Sequence, residues 1–158
     1  MIYICGLFGY KTDSAFNNKM KDSKKEKRKR IVEALAIAMQ ERGKDSTGVA
    51  ILSGPSYKIV KDDEPAIDFV DSKELQKALD EQSECVIGHT RFATIGEVSK
   101  ENAHPFKKGK IIGAHNGGVD NYLEINNRVN VDSEVIFSLL KKTKNNYKEA
   151  FKKLSGDF

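Results

Sequence analysis

The sequence predicts one layered domain in which helices cover β-sheet, of either the α/β or the α+β class. The chain has 158 residues, which is the usual size of a single domain. Hydrophobic residues make up 39% of it, which is enough for a packed core. Short apolar, β-prone segments alternate with longer segments of helical spacing. No internal repeat or linker divides the chain, so we expect a single domain over residues 1–158.

A strand and a long helix are predicted at the start of the chain. The apolar, glycine-punctuated stretch Ile2–Phe8 indicates a buried strand, and the polar residues 11–22 indicate a loop. Ser23 and Glu26 have the spacing of a capping box, which predicts a helix from Lys24 to about Glu41. Its charged first half should be exposed, whereas its second half, apolar on nearly all sides, should be buried.

The rest of the chain continues the alternation of strands and helices. Turn residues between two β-prone segments predict a hairpin, and apolar side chains at helical spacing predict three further helices. In order, these elements are hairpin strands Gly48–Leu52 and Tyr57–Asp62, helix Ser72–Glu81, strands Glu84–Gly88 and Lys110–Ala114, and helices Asp132–Lys142 and Tyr147–Leu154. Residues 155–158 are typical of the approach to another strand, so the domain is expected to be C-terminally incomplete.

Charge is concentrated in one segment. The net charge is +4, but residues 19–30 hold eight Lys or Arg and two acidic residues, and the rest of the chain is net negative. A solvated helix face is the preferred interpretation, because no aromatic residues interleave the charges. A nuclear signal, or docking of nucleic acid or an acidic protein, remains an alternative, with nucleic acid the less favoured partner.

The sequence also bears on the compartment. The longest apolar run lies inside Met1–Tyr10, far shorter than the roughly 20 residues of a membrane span, and it lacks the features of a secretory signal. Two cysteines, Cys5 and Cys85, are too few for a disulfide framework. We therefore expect a cytoplasmic protein with no membrane partner.

Five clusters place polar side chains in glycine-rich, apolar surroundings. They are Cys5–Gly9, Arg42–Gly48, Gly88–Gly96 continuing to Asn102–Phe106, His115–Gly118, and Asp132–Glu134. In this order they resemble the glutaminase domain of class II glutamine amidotransferases, which are N-terminal-nucleophile (Ntn) hydrolases. They are most similar to the glutaminase half of glucosamine-6-phosphate synthases. The resemblance spans Cys5 to Glu134 and leaves residues 11–30 as a polar, basic insertion.

The resemblance implies an α+β fold, a four-layer α/β/β/α sandwich of mainly antiparallel sheets. It implies hydrolysis of L-glutamine to glutamate and ammonia, with a synthase domain or subunit as the possible ammonia acceptor and no cofactor. The family's domain continues with further strands, which is a second reason to expect an incomplete C-terminus.

The resemblance assigns the nucleophile to Cys5, which would form a γ-glutamyl thioester. A thiol is mostly protonated at neutral pH, so it needs a base, and in this family the base is the cysteine's own α-amine. Without the other clusters, Cys5 would be interpreted as a small buried hydrophobe, and Cys85 is interpreted in that way.

Five other residues match the family's site. Asn116, through its side-chain amide, and Gly117, through its backbone N–H, match the oxyanion-hole pair. Arg91 matches the clamp for the glutamine α-carboxylate, and Asp132 matches the acceptor for the α-ammonium. Thr94 lies in the same pocket-lining block as Arg91.

The remaining polar residues are given structural roles. The three histidines, His89, His104 and His115, have no compact zinc spacing, so we expect hydrogen-bonded buried histidines and no metal. Arg42 and Asp45 are expected to form an ion pair at the helix end that braces the site.

The four residues before Cys5 depart from the family pattern, because the nucleophile must be the first residue of the mature chain. Met1–Ile4 could be a propeptide removed at the Ile4–Cys5 bond, or the true start could lie later. If the bond stays intact, the chain would be a catalytically inactive, amidotransferase-like binding module or subunit.

Overall fold

The computed structural model describes residues 5–12, 22–81 and 83–157. Its strands are β1 Gly6–Lys11, β2 Ser46–Ser53, β3 Ser56–Asp62, β4 Cys85–Arg91, β5 Phe106–Lys108, β6 Ile111–Gly113, β7 Gly118–Val119 and β8 Gly156–Asp157. Its α-helices are α1 Asp22–Met39, α2 Ala66–Phe69, α3 Lys73–Leu79, α4 Tyr122–Ile125, α5 Glu134–Lys142 and α6 Tyr147–Phe151. A 3-10 turn at Gln40–Arg42 continues α1.

The main sheet is antiparallel, with strand order β1-β4-β2-β3. Gly6 of β1 lies opposite Thr90 of β4, and Arg91 at the end of β4 lies opposite Ser46 at the start of β2. The start of β1, the end of β4 and the start of β2 therefore meet at one edge of the sheet. That edge carries the predicted nucleophile and Arg91.

One face of this sheet packs against α1, α2 and α3. Alternate residues of each strand point to this face, so every strand contributes apolar side chains to it. The shared core consists of Phe8, Val32, Ala36, Val49, Ile51, Val60, Ala66, Phe69, Val70, Leu75, Ala78, Leu79 and Val86. Ser72 caps α3 by accepting a hydrogen bond from the Leu75 backbone N–H.

A second apolar core lies around α5. It is bounded by two short antiparallel ribbons, β5-β6 and β7-β8, and its buried residues include Phe106, Val119, Val135 and Leu139. In the described ranges these ribbons are the only counterpart of a second sheet layer. The fold is thus mixed α and β, and the described helices include none long and apolar enough to cross a membrane.

Helix α1 differs from its prediction in two respects. It begins at Asp22, so Ser23 lies inside the helix and the capping box is wrong. Its second half is buried on one side only, since Val32 and Ala36 are fully buried whereas Ile31 and Ile37 are 39% and 38% exposed. The physical reason is that a helix lying on a sheet buries only the stripe that faces the sheet.

Several other element boundaries differ from those predicted. The first strand extends to Lys11, so the predicted loop is shorter than residues 11–22, while Ile2–Ile4 and residues 13–21 lie outside the described residues. Cys85 begins β4 and is half-buried, so its assignment to the core is wrong. The hairpin is confirmed, as are the helices at α3, α5 and α6, within a few residues at each end.

Candidate active site

Cys5 lies directly before β1 at the sheet edge and is half-buried. The Phe92 backbone N–H donates to its Sγ at 3.2 Å, and Sγ lies 3.5 Å from the Phe92 carbonyl. This contact follows from the antiparallel pairing, because the residue before β1 must lie beside the residues that end β4. The thiol is therefore held by the backbone of Phe92, whose position is set by the sheet.

Two side chains hold the carbonyl group of Cys5. It accepts a hydrogen bond from Asn116 Nδ2 at 2.7 Å and another from Arg42 Nε at 3.0 Å. Asn116 precedes β7, whereas Arg42 ends the 3-10 turn after α1. Two segments that are distant in the sequence thus fix the peptide group between Cys5 and Gly6.

His89 orients the Asn116 amide. Because the Cys5 carbonyl can only accept, Nδ2 of Asn116 faces Cys5 and Oδ1 faces His89 Nε2, at 2.8 Å. His89 must then donate from Nε2. Burial lowers the pKa of His89 to about 4, so its imidazole is neutral at physiological pH. The amide nitrogen carries two protons, of which the Cys5 carbonyl takes one.

Gly117 follows in a conformation that only glycine adopts readily. Its φ is +140°, and a Cβ there would lie 2.2 Å from the Asp157 carbonyl oxygen. Its neighbour His115 holds the same turn, since Nδ1 lies 3.0 Å from Ser133 Oγ and Nε2 lies 3.1 Å from that carbonyl oxygen. The short strand β8 therefore shapes the backbone beside Asn116.

Arg91 is almost fully buried at the end of β4. Its terminal nitrogens donate to the carbonyl groups of Ile95, Gly96 and Glu97, which hold the loop after β4. Burial lowers the pKa of Arg91, and the nearby charges of Cys5, Asp45 and Asp132 oppose that change. A guanidinium has five N–H groups, so these carbonyls use three of them at most.

Two carboxylates complete the surroundings. Asp132 is buried, and its Oδ2 accepts from the Val119 backbone N–H at 2.8 Å. Asp45 Oδ2 accepts from the Ala93 backbone N–H at 2.6 Å. Each carboxylate thus fixes a segment of backbone near the thiol.

Burial raises the pKa of the Cys5 thiol above its ordinary value. The hydrogen bond from Phe92 and the positive charge of Arg91 lower it again, whereas Asp132 adds to the increase. The thiol is accordingly protonated in this state and needs a base before it can attack a substrate.

The structure brings most of the predicted site residues together. Asn116 contacts Cys5, Gly117 follows Asn116 in the chain, and Arg91 and Asp132 lie near enough to influence the pKa of the thiol. Thr94 is exposed in the loop after β4, and its place in a pocket remains a prediction. Sequence reasoning missed the Phe92 backbone, whose role depends on strand register and not on its side chain.

Two structural expectations are wrong. His104 is buried, but neither ring nitrogen has a hydrogen-bond partner, and the ring stacks on His89 with centroids 4.2 Å apart. Arg42 and Asp45 form no ion pair among the described residues, because each binds a backbone group instead. Both still brace the site, as predicted.

A separate cavity of about 470 Å³ lies between β3, β5 and the start of α5. Lysines line it, but Lys61 donates to the carbonyl groups of Glu101 and Ala103, and Lys108 pairs with Glu134. It contains none of the predicted site residues, so we place the site at Cys5, where polar groups from five segments converge. Within the three described ranges, no group of His, Cys, Asp and Glu side chains could hold a metal ion.

Comparison with known proteins establishes the class. The family model of the class II glutamine amidotransferases matches residues 32–156, which is most of the chain. The chain therefore belongs to the class II glutamine amidotransferase family. The matched range contains Arg91, Asn116 and Asp132 but begins after Cys5.

Comparison with curated proteins finds individual relatives within this family. The chain is 37% identical over 142 residues to the glutamine–fructose-6-phosphate aminotransferase (isomerizing) of Aquifex aeolicus strain VF5, covering 76% of this chain and 22% of the relative. It is 32% identical over 177 residues to the enzyme of the same name from Sulfurisphaera tokodaii, covering 98% and 27% respectively. The chain thus spans about a quarter of the length of these relatives.

Solved structures confirm the fold at lower identity. Glutamine phosphoribosylpyrophosphate amidotransferase from B. subtilis, complexed with ADP and GMP, superposes with a TM-score of 0.67 at 21% identity. A structure described as the allosteric regulatory enzyme of purine biosynthesis gives 0.67 at 23% identity. Each match covers 97% of this chain and 33% of the other. The chain shares the mixed α and β Ntn-hydrolase fold of these amidotransferases.

Proposed function

We propose that this chain hydrolyses L-glutamine to glutamate and ammonia through a γ-glutamyl thioester on Cys5. The observation that carries the proposal is the hydrogen bond from the Asn116 amide, whose orientation His89 fixes, to the backbone carbonyl of Cys5, the residue that bears the thiol. Family membership supports the reaction class. A cysteine that only fills space in the core would require neither the oriented Asn116 amide nor the turn at Gly117, whose backbone conformation favours glycine.

The thiol requires a base, because burial raises its pKa. The α-amine of Cys5 is suited to this role, since its reference pKa of about 7.7–8.0 leaves a large neutral fraction at physiological pH. It is a base only when Cys5 is the first residue. We therefore propose that Met1–Ile4 form a leader removed by cleavage of the Ile4–Cys5 bond.

The amine takes the thiol proton as Sγ attacks the substrate's side-chain amide carbon. The resulting oxyanion accepts hydrogen bonds from the second Nδ2 proton of Asn116 and from the Gly117 backbone N–H. The ammonium group then gives its proton to the departing nitrogen, which leaves as ammonia. Water attacks the thioester, which releases glutamate and restores the thiol.

The surrounding charges suit a free amino acid. Arg91 supplies positive charge for the α-carboxylate, using N–H groups that the loop carbonyls leave available or exchanging those bonds for the substrate. Asp132 supplies negative charge for the α-ammonium. Thr94 would line the pocket from the loop after β4. Glutamine within a protein chain has neither charge, so it would be excluded.

Residues 1–158 are proposed to form one glutaminase-type domain, with residues 11–30 as a basic insertion that ends in the first turns of α1. A four-layer sandwich is the proposed complete architecture. The sheet face opposite α1 carries exposed Leu7 and Tyr57, apolar side chains that a second sheet layer would cover. A synthase domain or subunit is the proposed ammonia acceptor, because the relatives are named as glutamine–fructose-6-phosphate aminotransferases and are much longer than this chain. The proposed compartment is the reducing cytoplasm, which keeps Cys5 as a free thiol.

The test combines intact mass with ammonia release. The purified chain should have the mass of a polypeptide whose first residue is Cys5, and it should release ammonia from L-glutamine. Cys5→Ala should abolish this release, because it removes the nucleophile, whereas the matched control Cys85→Ala should retain it. Ammonia release by the folded Cys5→Ala variant would overturn the mechanism.

The second candidate is a catalytically inactive binding module. It is favoured by the four residues that precede Cys5 in the sequence, since an intact Ile4–Cys5 bond leaves an amide nitrogen that cannot act as base. An uncleaved chain that binds glutamine calorimetrically without releasing ammonia would establish this candidate.

A further inference from the structure

The outer face of α1 is an exposed apolar stripe with opposite charges at its two ends. It consists of Lys27, Arg30, Ile31, Ala34, Ile37, Ala38 and Glu41, all of them exposed, with Glu41 in the 3-10 turn that continues the helix. These residues recur at intervals of three and four, so they share one side of the helix. The buried side is formed by Val32 and Ala36. The outer face therefore points away from the sheet.

The outer face is self-complementary about Ala34. Ile31 and Ile37 lie three residues before and after it, and Lys27 and Glu41 lie seven residues before and after it. Reversing the helix direction thus exchanges isoleucine with isoleucine and lysine with glutamate, and it places Arg30 opposite the small side chain of Ala38. A surface of this kind fits a second copy of itself related by a two-fold axis, where residue i meets j and j meets i.

We propose that a second copy of this chain docks on the outer face of α1, with the two helices antiparallel and crossing at Ala34. Small side chains at Ala34 and Ala38 allow close approach of the helix axes and leave space for Ile31 and Ile37 of the partner. Lys27 of each chain then pairs with Glu41 of the other. The docking buries four isoleucine side chains per dimer.

The charges at the two ends of the outer face favour the antiparallel orientation of the two helices. A parallel pair would place Lys27 against Lys27 and Glu41 against Glu41, which is unfavourable. The antiparallel pair also brings the lysine-rich start of one α1 to the end of the other, where the helix dipole is negative. Within one chain Arg30 is paired with Glu26 and Lys25 with Asp80, whereas Lys27 and Glu41 take part in no ion pair among the described residues.

The dimer should be weak, because one helix face lies at the small end of the interface range, under about 1,200 Å². We expect a monomer–dimer equilibrium with a dissociation constant in the micromolar range. Sedimentation velocity of the 158-residue chain between about 5 and 500 μM should show a sedimentation coefficient that rises with concentration. A chain that stays monomeric throughout this range would overturn the proposal.

Substitutions at the crossing provide the first specificity test. Ala34→Glu places two like charges on the two-fold axis and should remove the dimer at every concentration. Ala34 is exposed, so circular dichroism and thermal unfolding should remain close to those of the parent chain. The matched control is Leu123→Glu, which alters an exposed apolar residue on α4 and should leave the dimer intact. Dimerisation that survives Ala34→Glu would refute the interface.

A charge exchange tests the antiparallel register. Lys27→Glu alone and Glu41→Lys alone should each weaken the dimer by roughly tenfold or more, because each converts two attractive contacts per dimer into repulsive ones. The double variant Lys27→Glu with Glu41→Lys should recover most of the affinity. If the two effects simply add, the proposed register is wrong.

Discussion

His89 shows how a residue that never touches the thiol can decide its chemistry. Its neutral ring donates to Asn116 Oδ1, which leaves the amide nitrogen no orientation other than toward Cys5. Arg42 Nε donates a second hydrogen bond to the Cys5 carbonyl. The backbone of Cys5 is thus positioned by one neutral amide, which a neutral imidazole orients, and by one guanidinium.

We predict that His89→Leu lowers kcat for glutamine hydrolysis by roughly 10- to 100-fold while KM changes little. The amide donor would lose its orientation, and removal of one oxyanion donor typically costs about 10²–10³ in kcat. His89→Gln retains an N–H near the position of Nε2 and should restore most of the activity. Steady-state ammonia release measures both variants.

A double-variant cycle separates this role from general packing. In an Asn116→Ala background, His89→Leu should cost little more, because the group that His89 orients is already absent. Equal losses of activity in both backgrounds would show that His89 acts by another route.

Sequence reasoning grouped Cys5, Asn116, Gly117, Arg91 and Asp132 in one site through the resemblance that the five clusters carry. The structure places the Asn116 amide on the Cys5 carbonyl and brings Arg91 and Asp132 close enough to influence the pKa of the thiol, while the chemical roles of these residues stay predictions. Sequence reasoning failed where geometry assigns the partner. The buried, unpartnered ring of His104 and the backbone contact of Phe92 depend on register, which residue types do not specify.

At the scale of single elements, caps and exposed faces explain which predictions held. Helix α3 begins where predicted because Ser72 supplies the oxygen that caps the Leu75 N–H. Elements of two to four residues, such as β7, α2 and α4, were missed because they are too short to show periodicity. The second half of α1 was expected to be buried on nearly all sides, because apolar content alone does not tell which side of a helix meets the sheet.

Removal of the α3 cap should be measurable. Ser72→Ala is expected to lower the free energy of unfolding by about 0.5–2 kcal/mol, since the Leu75 N–H would lose its partner. Ser72→Asp keeps an acceptor and should stay close to the parent chain. Urea denaturation followed by circular dichroism gives the comparison, and equal stabilities of Ser72→Ala and the parent would contradict the capping role.

At the scale of the whole molecule, two buried imidazoles link stability to pH. His89 and His104 stack in the space between the sheet and the second core, and burial lowers the pKa of each. The nearby positive charges of Arg91 and Lys61 strengthen the effect on His104. The fold therefore favours the neutral form of both rings.

The sign of the pH dependence follows from these shifts. Above about pH 6.5 both states hold the rings neutral, and their titration has no effect. As the pH falls below that value, the unfolded chain binds protons that the fold excludes, so stability decreases. For His89 the loss continues down to its folded pKa of about 4.

We predict that the free energy of unfolding decreases between pH 7.5 and pH 5, by roughly 2 kcal/mol from His89 alone. His104→Phe removes one titrating ring beside Phe106 and should make the pH dependence shallower. Urea denaturation at several pH values measures the slope. A stability that is constant, or that increases on acidification, would show that the rings are not held neutral.

The contact between β8 and the turn at Gly117 has a consequence for any substitution at that turn. A Cβ at residue 117 would lie 2.2 Å from the Asp157 carbonyl oxygen, to which His115 Nε2 is already 3.1 Å away. A side chain there would therefore either separate β8 from β7 or shift the backbone that carries Asn116, and the Cys5 carbonyl would lose its amide donor in the second case.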